Sequence, residues 1–353
     1  VEHKQFYPQP GWVEHDPVEI LSNTYNSIET LLQRSNISKS DIASVAITNQ
    51  RETIVVWDKR TGHPVYNAIV WQCNRGSEIC DYLITQGYEP QVQKKTGLII
   101  NPYFSASGVK WILDNVKGAR DNARNGHLLL GTMDTWLIWN FTSGKVHATD
   151  YTNACRTLLF NIHTLRWDSE LLDIFTVPSS MMPNILPCDA VYGTTTLNGL
   201  LPEIPIAGVL GDSLGALVGQ MCFSRGMGKA TYGTGSSIAV NIGEKALPPP
   251  RGLVTSIGFS AKGKVFYEFE GNIHCTGATI KWLQDELQLI TSAAESESLA
   301  ASVESTDGVY LVPAFAGLGA PWWDNDAKGL ICGMNRGTGK AHIVRAALES
   351  IAY

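Results

Sequence analysis

Behind Asp16-Pro17, apolar residues recur at Ile20, Leu21, Tyr25, Ile28, Leu31 and Leu32, the period of a helix that buries one face. Asp16 offers an N-cap oxygen and Pro17 a first-turn residue without an amide, so this helix start is written locally. The residues before it, with two prolines and Gly11-Trp12, read as an extended entry. Ile42 to Thr48, rich in Ile, Val and Ala, is expected as a buried strand. Thr53 to Trp57 and Val65 to Trp71, joined by Lys59-Arg60-Thr61-Gly62, read as a hairpin. Residues 75 to 88 and Val109 to Val116 have helical patterns. Leu128 to Leu130 reads as a strand feeding a helix that carries Trp136, Leu137, Ile138 and Trp139. Pro178, Pro183 and Pro187 mark a loop-rich stretch. Then Ile204 to Leu210 reads as a buried strand and Ser213 to Gln220 as a small-residue helix, followed by a strand broken at Gly233-Thr234-Gly235. Val265 to Phe269 and Val309 to Phe315 read as strands, Gly271 to Gly277 as a loop, and Ala278 to Leu287 as a helix. Strands and helices intermix throughout, which predicts an α/β protein of two units with a break near residues 221 to 228.

Composition narrows the partners. At 353 residues the chain exceeds one ordinary domain. A net charge of −6 with no cluster of Lys and Arg argues against nucleic acid and anionic membranes. The seven cysteines stand singly, without a CxxC pair, which fits a reducing compartment better than a disulfide framework. No apolar run is long enough to cross a membrane, so the expectation is a soluble, cytoplasmic protein. The chain starts at Val1 and stops at Tyr353 inside the helical run His342 to Tyr353, which reads as a fragment of a longer protein.

Two chemistries lie close together in the central stretch. Asp212 emerges where a buried strand gives way to a helix, the usual place for active-site groups in open α/β sheets. Gly233-Thr234-Gly235 offers backbone N–H groups unscreened by side chains, as a phosphate cradle does, although a tight hairpin is the plainer reading. Asn49-Gln50-Arg51-Glu52 is a polar run between strands. It reads either as a solvated connection or as a guanidinium and carboxylate that hydrogen-bond a polyol. Trp71, beside Gln72, suits either a core or the C–H face of a carbohydrate. The Tyr103 hydroxyl could reach a ligand or cap the helix after it, and Gly277 at a helix start could let a nucleotide approach the backbone.

Ordered motifs then carry a resemblance. GWVEHDP (Gly11 to Pro17), TNQRETIVVWD (Thr48 to Asp58), YNAIVWQ (Tyr66 to Gln72), NPYFS (Asn101 to Ser105) and GTMDTWLIW (Gly131 to Trp139) lie in the first part of the chain. ATDYTNA (Ala148 to Ala154), LLFNIHTLRWD (Leu158 to Asp168), TYGTG (Thr231 to Gly235), VPAFAGLGAPWWD (Val312 to Asp324) and RAALESIAY (Arg345 to Tyr353) follow. From end to end the chain resembles the FGGY family of carbohydrate kinases, its glycerol kinases in particular.

The resemblance implies a two-domain fold of the ribonuclease H and actin type with a cleft between domains. It implies an N-terminal polyol domain over 1–221 and a C-terminal nucleotide domain over 222–353. It implies phosphorylation of glycerol to sn-glycerol 3-phosphate with ATP and Mg²⁺. Arg51, Glu52, Trp71 and Tyr103 match positions that bind glycerol, Asp212 matches the general base and lies beside the metal, and Thr234, Gly235, Gly277 and Lys281 match positions near the nucleotide. The likeness leaves a homo-oligomer open. Departures stand at Ser213, where the family usually has Gln, at Ser237 in place of an aromatic, at Gly108 in place of Lys, and at Glu203, where some bacterial members carry an Arg that binds fructose 1,6-bisphosphate. Ser213 and Ser237 would face the polyol, which keeps a larger polyol or ketose such as erythritol, ribulose or xylulose as the alternative substrate. The family's N-terminal Gly-Thr-Thr hairpin and C-terminal adenosine segment have no counterpart in these residues, so the alternative for this stretch alone is a non-catalytic piece of such a kinase.

Overall fold

A computed structural model describes residues 1–315 and 317–353; Ala316, inside the Val312–Asp324 motif, lies outside the described residues. The chain divides into two compact units. The first is Val1–Met227, Asn241–Pro249 and Val254–Phe269, and the second is Gly228–Val240, Pro250–Leu253 and Glu270–Tyr353. Periodicity alone points to a single break, whereas the strands Ser236–Gly243 and Lys264–Ile273 each begin in one unit and end in the other.

In the first unit a helix spans Pro17–Arg34, and the Asp16 carboxylate accepts from Val18 N at 2.8 Å. Its Leu21, Tyr25, Ile28 and Leu32 pack on a core of Ile47, Ile138, Phe141, Ile206 and Val209. Leu31, expected on that stripe, is 65% exposed, because one step of helix carries it about 100° off a face already filled by Leu32 and Ile28. The strand expected over Ile42 to Thr48 is Val45–Asn49, preceded by a 3₁₀ turn at Lys39–Asp41. It pairs in parallel with Ile204–Gly211, which also pairs antiparallel with Val191–Thr195.

A second sheet runs in the order Gln5–Phe6, Glu14–His15, Ala68–Ile69, Ile54–Asp58, Leu128–Thr132. Ile54, Val55, Val56 and Trp57 are all buried, so this strand is covered on both faces, and Trp57 meets Trp136 edge-on at 5.4 Å. Of the strand expected over Val65 to Trp71, only Ala68–Ile69 joins the ladder, since Tyr66 and Asn67 turn their polar ends to Glu14 at 2.7 and 2.9 Å. Arg75 completes that cluster. Its Nη2 donates to Glu14 at 2.7 Å, and its guanidinium lies between Trp12 and Trp111 at 4.1 and 4.7 Å from their centroids. Burial raises the Glu14 carboxyl, but hydrogen bonds from Tyr66, Asn67 and Arg75 bring it below the usual range. The GWVEHDP motif therefore fastens the N-terminal strands to the sheet.

The helices expected at 75–88 and Val109–Val116 are Ser77–Thr85 and Ser105–Asn115, the latter starting right after Tyr103 and Phe104. In the second unit Gly228–Tyr232 pairs antiparallel with the start of Ser236–Gly243. The helices Gly277–Asp285 and Lys340–Ser350 enclose a core of Leu283, Ile290, Val309, Leu311, Val344 and Ala347. The loop expected over Gly271 to Gly277 is shorter, because the Lys264 strand continues to Ile273. No helix among the described residues is long and apolar enough to cross a membrane.

Candidate active site

The parallel pairing of Ile204–Gly211 with Val45–Asn49 puts Gly211 opposite Asn49. The residues that leave the two strands, Asp212 and Gln50-Arg51-Glu52, therefore come out side by side at the carboxyl ends of parallel strands. Gly211 is required there: a Cβ on it would stand 2.5 Å from Arg51 Cγ. Asp212 opens the helix Asp212–Gly219, with its carboxylate 59% exposed and Oδ1 accepting from Ser213 N at 2.7 Å. An anion at this end is favoured by the aligned peptide dipoles.

Arg51 and Glu52 are 4% and 3% exposed, which removes the solvated-connection reading. Glu52 sits at φ 60°, left-handed backbone unusual for a side chain of its size, and its carbonyl accepts from Ser105 Oγ at 2.8 Å. Arg51 Nε lies 4.0 Å from Asp212 Oδ1 and Arg51 Nη1 lies 3.8 Å from Glu268 Oε1. Glu52 Oε1 accepts from Arg156 Nε at 2.5 Å, and Arg156 Nη1 donates to Ser256 Oγ at 2.7 Å. The Arg156 guanidinium also stands 5.0 Å from the Phe104 centroid and 5.9 Å from that of Tyr103. Trp71 and Tyr103 meet edge-to-face at 5.4 Å, both half-buried. Trp71 lies past the end of its strand, its N–H held by Thr53 Oγ1 at 3.4 Å. A small cavity is lined by Glu52, Trp71, Tyr103, Arg75 and Gly108. A Cβ at Gly108 would sit 3.4 Å from Ile54 and Ile69, so this helix lies close against the sheet.

Behind these groups is a buried polar network that the sequence reading did not assign. Gly211 N donates to Thr152 Oγ1 at 2.9 Å and Thr152 Oγ1 to Asp150 Oδ2 at 2.6 Å. Asn153 and Asn49 exchange amide hydrogen bonds at 2.9 and 3.1 Å. The ATDYTNA motif, legible only as a resemblance, thus clamps the ends of both site-bearing strands. Asp134, bonded by the hydroxyls of Thr132 and Thr149, lies behind Asp150. Burial, reinforced by the charge of Asp150, pushes Asp134 up to about 7 from 3.8. The native state then holds a proton that the unfolded chain has released, so stability falls as pH rises through that window. His15 and His147, lowered to about 4 chiefly by burial, contribute the opposite slope below their ordinary value of 6.5. Melting temperatures of Asp134→Asn and wild type should therefore differ by an amount that grows in the variant's favour from about pH 5 to about pH 8. A constant difference would assign the slope elsewhere.

In the second unit, Gly233-Thr234-Gly235 forms the turn between the paired strands, with Gly233 N donating to Gly235 O at 2.8 Å. Its carbonyls receive the next helix: Gly277 N donates to Gly233 O at 2.9 Å and Ala278 N to Thr234 O at 3.0 Å. A Cβ on Gly277 would lie 2.5 Å from Gly233 O. The turn-to-helix contact by itself therefore requires a glycine at this position. Thr234 and Gly277 are solvent-facing, and Lys281, one turn along the same helix face, is 80% exposed and 4.0 Å from Asp285. Ser237 is held in a polar cluster: its Oγ donates to Glu270 Oε1 at 2.9 Å and lies 3.2 Å from the donor Lys229 Nζ, while Lys229 also reaches Thr231 Oγ1 at 3.0 Å. Glu203 is exposed and accepts from Thr194 Oγ1 at 2.6 Å.

Residues 1–219 match the N-terminal domain and residues 228–353 the C-terminal domain of the FGGY family of carbohydrate kinases. A glycerol kinase of Shewanella woodyi is 56% identical over 352 residues, 100% of this chain and 71% of that protein. "Glycerol kinase 2" of Thermotoga maritima is 54% identical over the same shares. The crystal structure of Plasmodium falciparum glycerol kinase with ADP superposes with a TM-score of 0.86 at 39% identity, covering 100% of this chain and 71% of that one. A gluconate kinase from Lactobacillus acidophilus has a TM-score of 0.85 at 20% identity over 99% of this chain and 70% of its own, a likeness of fold alone.

Proposed function

The chain belongs to the FGGY family of carbohydrate kinases, and from that premise we propose that Asp212 is the general base of its reaction. Its fold is the two-domain, actin-like fold of these sugar kinases. The reaction is ATP-dependent phosphorylation of glycerol. Arg51, Glu52, Trp71, Tyr103 and Ser213 hold the polyol, and Thr234, Gly235, Gly277 and Lys281 lie nearest the nucleotide.

The observation that carries this reading is the pairing of an outward carboxylate with a buried Arg-Glu couple on adjoining strand ends. Arg51 donates and Glu52 accepts, so together they match two neighbouring hydroxyls, while the Trp71 and Tyr103 rings cover the C–H face. Asp212 Oδ1 is occupied by Ser213 N, which leaves Oδ2 to take the proton of the attacking hydroxyl. As the new O–P bond forms, the bond from the γ-phosphorus to the bridging oxygen breaks and ADP leaves. The product is sn-glycerol 3-phosphate.

The family implies Mg²⁺ with ATP. Mg²⁺ is usually bound through one or two carboxylates plus the substrate phosphates, a donor set that the single exposed carboxylate of Asp212 fits. Among the described residues no group of three His, Cys, Asp or Glu could hold an ion. When bound, the metal neutralises charge on the phosphates being separated. The test is a polyol panel with ATP and Mg²⁺: glycerol 3-phosphate is expected, and turnover confined to other sugars would overturn the reading.

Ser213 and Ser237 favour a second reading, in which a four- or five-carbon polyol is also accepted. Ser213 has a shorter reach than Gln, and Ser237 places a hydroxyl, backed by Lys229 and Glu270, where the family has an aromatic. Glycerol binding should be weaker by about 1–3 kcal/mol for each lost contact. The double change Ser213→Gln with Ser237→Phe should shift the kcat/KM ratio toward glycerol over erythritol. An unchanged ratio, with strict glycerol preference beforehand, would make both serines neutral.

A further inference from the structure

Arg51 stands between two carboxylates of different character. Asp212, 4.0 Å from Nε, faces solvent, whereas Glu268, 3.8 Å from Nη1, is fully buried on the strand Lys264–Ile273. An arginine with one carboxylate in reach tends to close on it as a bidentate pair, the strongest geometry available to the fork. Closing on Asp212 would occupy the oxygens that a general base needs for its substrate. Attraction to a desolvated carboxylate is screened less than attraction to one in water, so Glu268 competes effectively for the guanidinium. The burial of Arg51 at 4% means that the guanidinium cannot satisfy itself with solvent instead.

We propose that Glu268 is a positioning residue for polyol recognition, its buried carboxylate holding the Arg51 guanidinium off Asp212 and aimed at the substrate hydroxyls. This rests on the reading of Arg51 as a polyol contact. Glu268 lies far from Arg51 in the chain and acts on polyol binding through its 3.8 Å approach to that guanidinium, so its effect belongs to polyol KM and not to nucleotide binding.

Steady-state kinetics of the full-length protein test this with Glu268→Gln, Arg51→Gln and the double variant. Glu268→Gln should raise the KM for glycerol about tenfold, the scale of a mispositioned charged hydrogen bond, with the KM for ATP within about twofold. In the Arg51→Gln background the same change should add nothing, since the coupled partner is gone. An unchanged glycerol KM, an equal rise with and without Arg51, or a parallel rise in both KM values would overturn the proposal. If Arg51→Gln itself leaves glycerol KM untouched, the polyol reading of Arg51 falls and the proposal with it; if Arg51→Gln raises it and Glu268→Gln does not, only the role of Glu268 falls. Should Glu268→Gln fail to fold, Glu268→Asp keeps the charge one methylene further back. A rise of about threefold or more in glycerol KM alone supports the proposal, and no rise overturns it.

Discussion

Replacing Asp212 by Asn lowers kcat by roughly 10² to 10⁴ and leaves the KM for glycerol within about threefold. Asn keeps the size of the side chain and its carbonyl oxygen can still accept from Ser213 N, so the local helix start survives. What is lost is an acceptor for the hydroxyl proton at the moment the alkoxide forms, an interaction made in the transition state and scarcely in the ground state. The 59% exposure of the carboxylate also means that the fold asks little of it, so the melting temperature should stay close to wild type. Near-native turnover in a folded Asp212→Asn variant would take the base role away from this residue.

Replacing Arg156 by Met costs about 3–5 kcal/mol of stability, the scale of breaking a buried ion pair from one side. Arg156 is fully buried, donates to Glu52 and Ser256, and packs its guanidinium on Phe104. Met matches much of the apolar stem but leaves the Glu52 carboxylate, itself 3% exposed, without this cation. Glu52 then relaxes by taking a proton or by leaving its present position, and either response spoils it as a hydroxyl acceptor. A raised glycerol KM should therefore accompany the lost stability. Arg156→Lys, which restores the charge without the planar fork, should fall between Met and wild type in both measurements. Urea melts showing a loss under about 1 kcal/mol would place the pair among weakly coupled ions.

Much of the local structure was legible because its causes are local. Asp16-Pro17 caps a helix whatever follows it, and the apolar run ending in Gly211-Asp212 marks a strand giving way to a helix. Gly233-Thr234-Gly235 reads as a turn from its glycines, and Gly235 is required there because a Cβ on it would stand 2.6 Å from Ile273 O. Element ends were less legible: Leu31 has the right spacing for a buried face and is exposed, and Val65 to Trp71 has the composition of a strand but keeps only Ala68–Ile69 in the ladder. Periodicity shows which residues could be buried, and neighbours decide which of them are.

The sequence by itself determined the family, the α/β class and the identity of the charged and aromatic groups, since these are properties of residue types in order. Only the tertiary structure decided how those groups are held. Arg156 meets Glu52 across 104 residues, and Thr152 reaches Gly211 across 59. Glu268 is brought to Arg51 by a strand that the sequence shows only as the run Val265 to Phe269 with this one glutamate in it. The physical reason is that a charge is buried only where a partner compensates its lost hydration, and that partner is chosen by the packing of strands and helices in space, which no local pattern encodes.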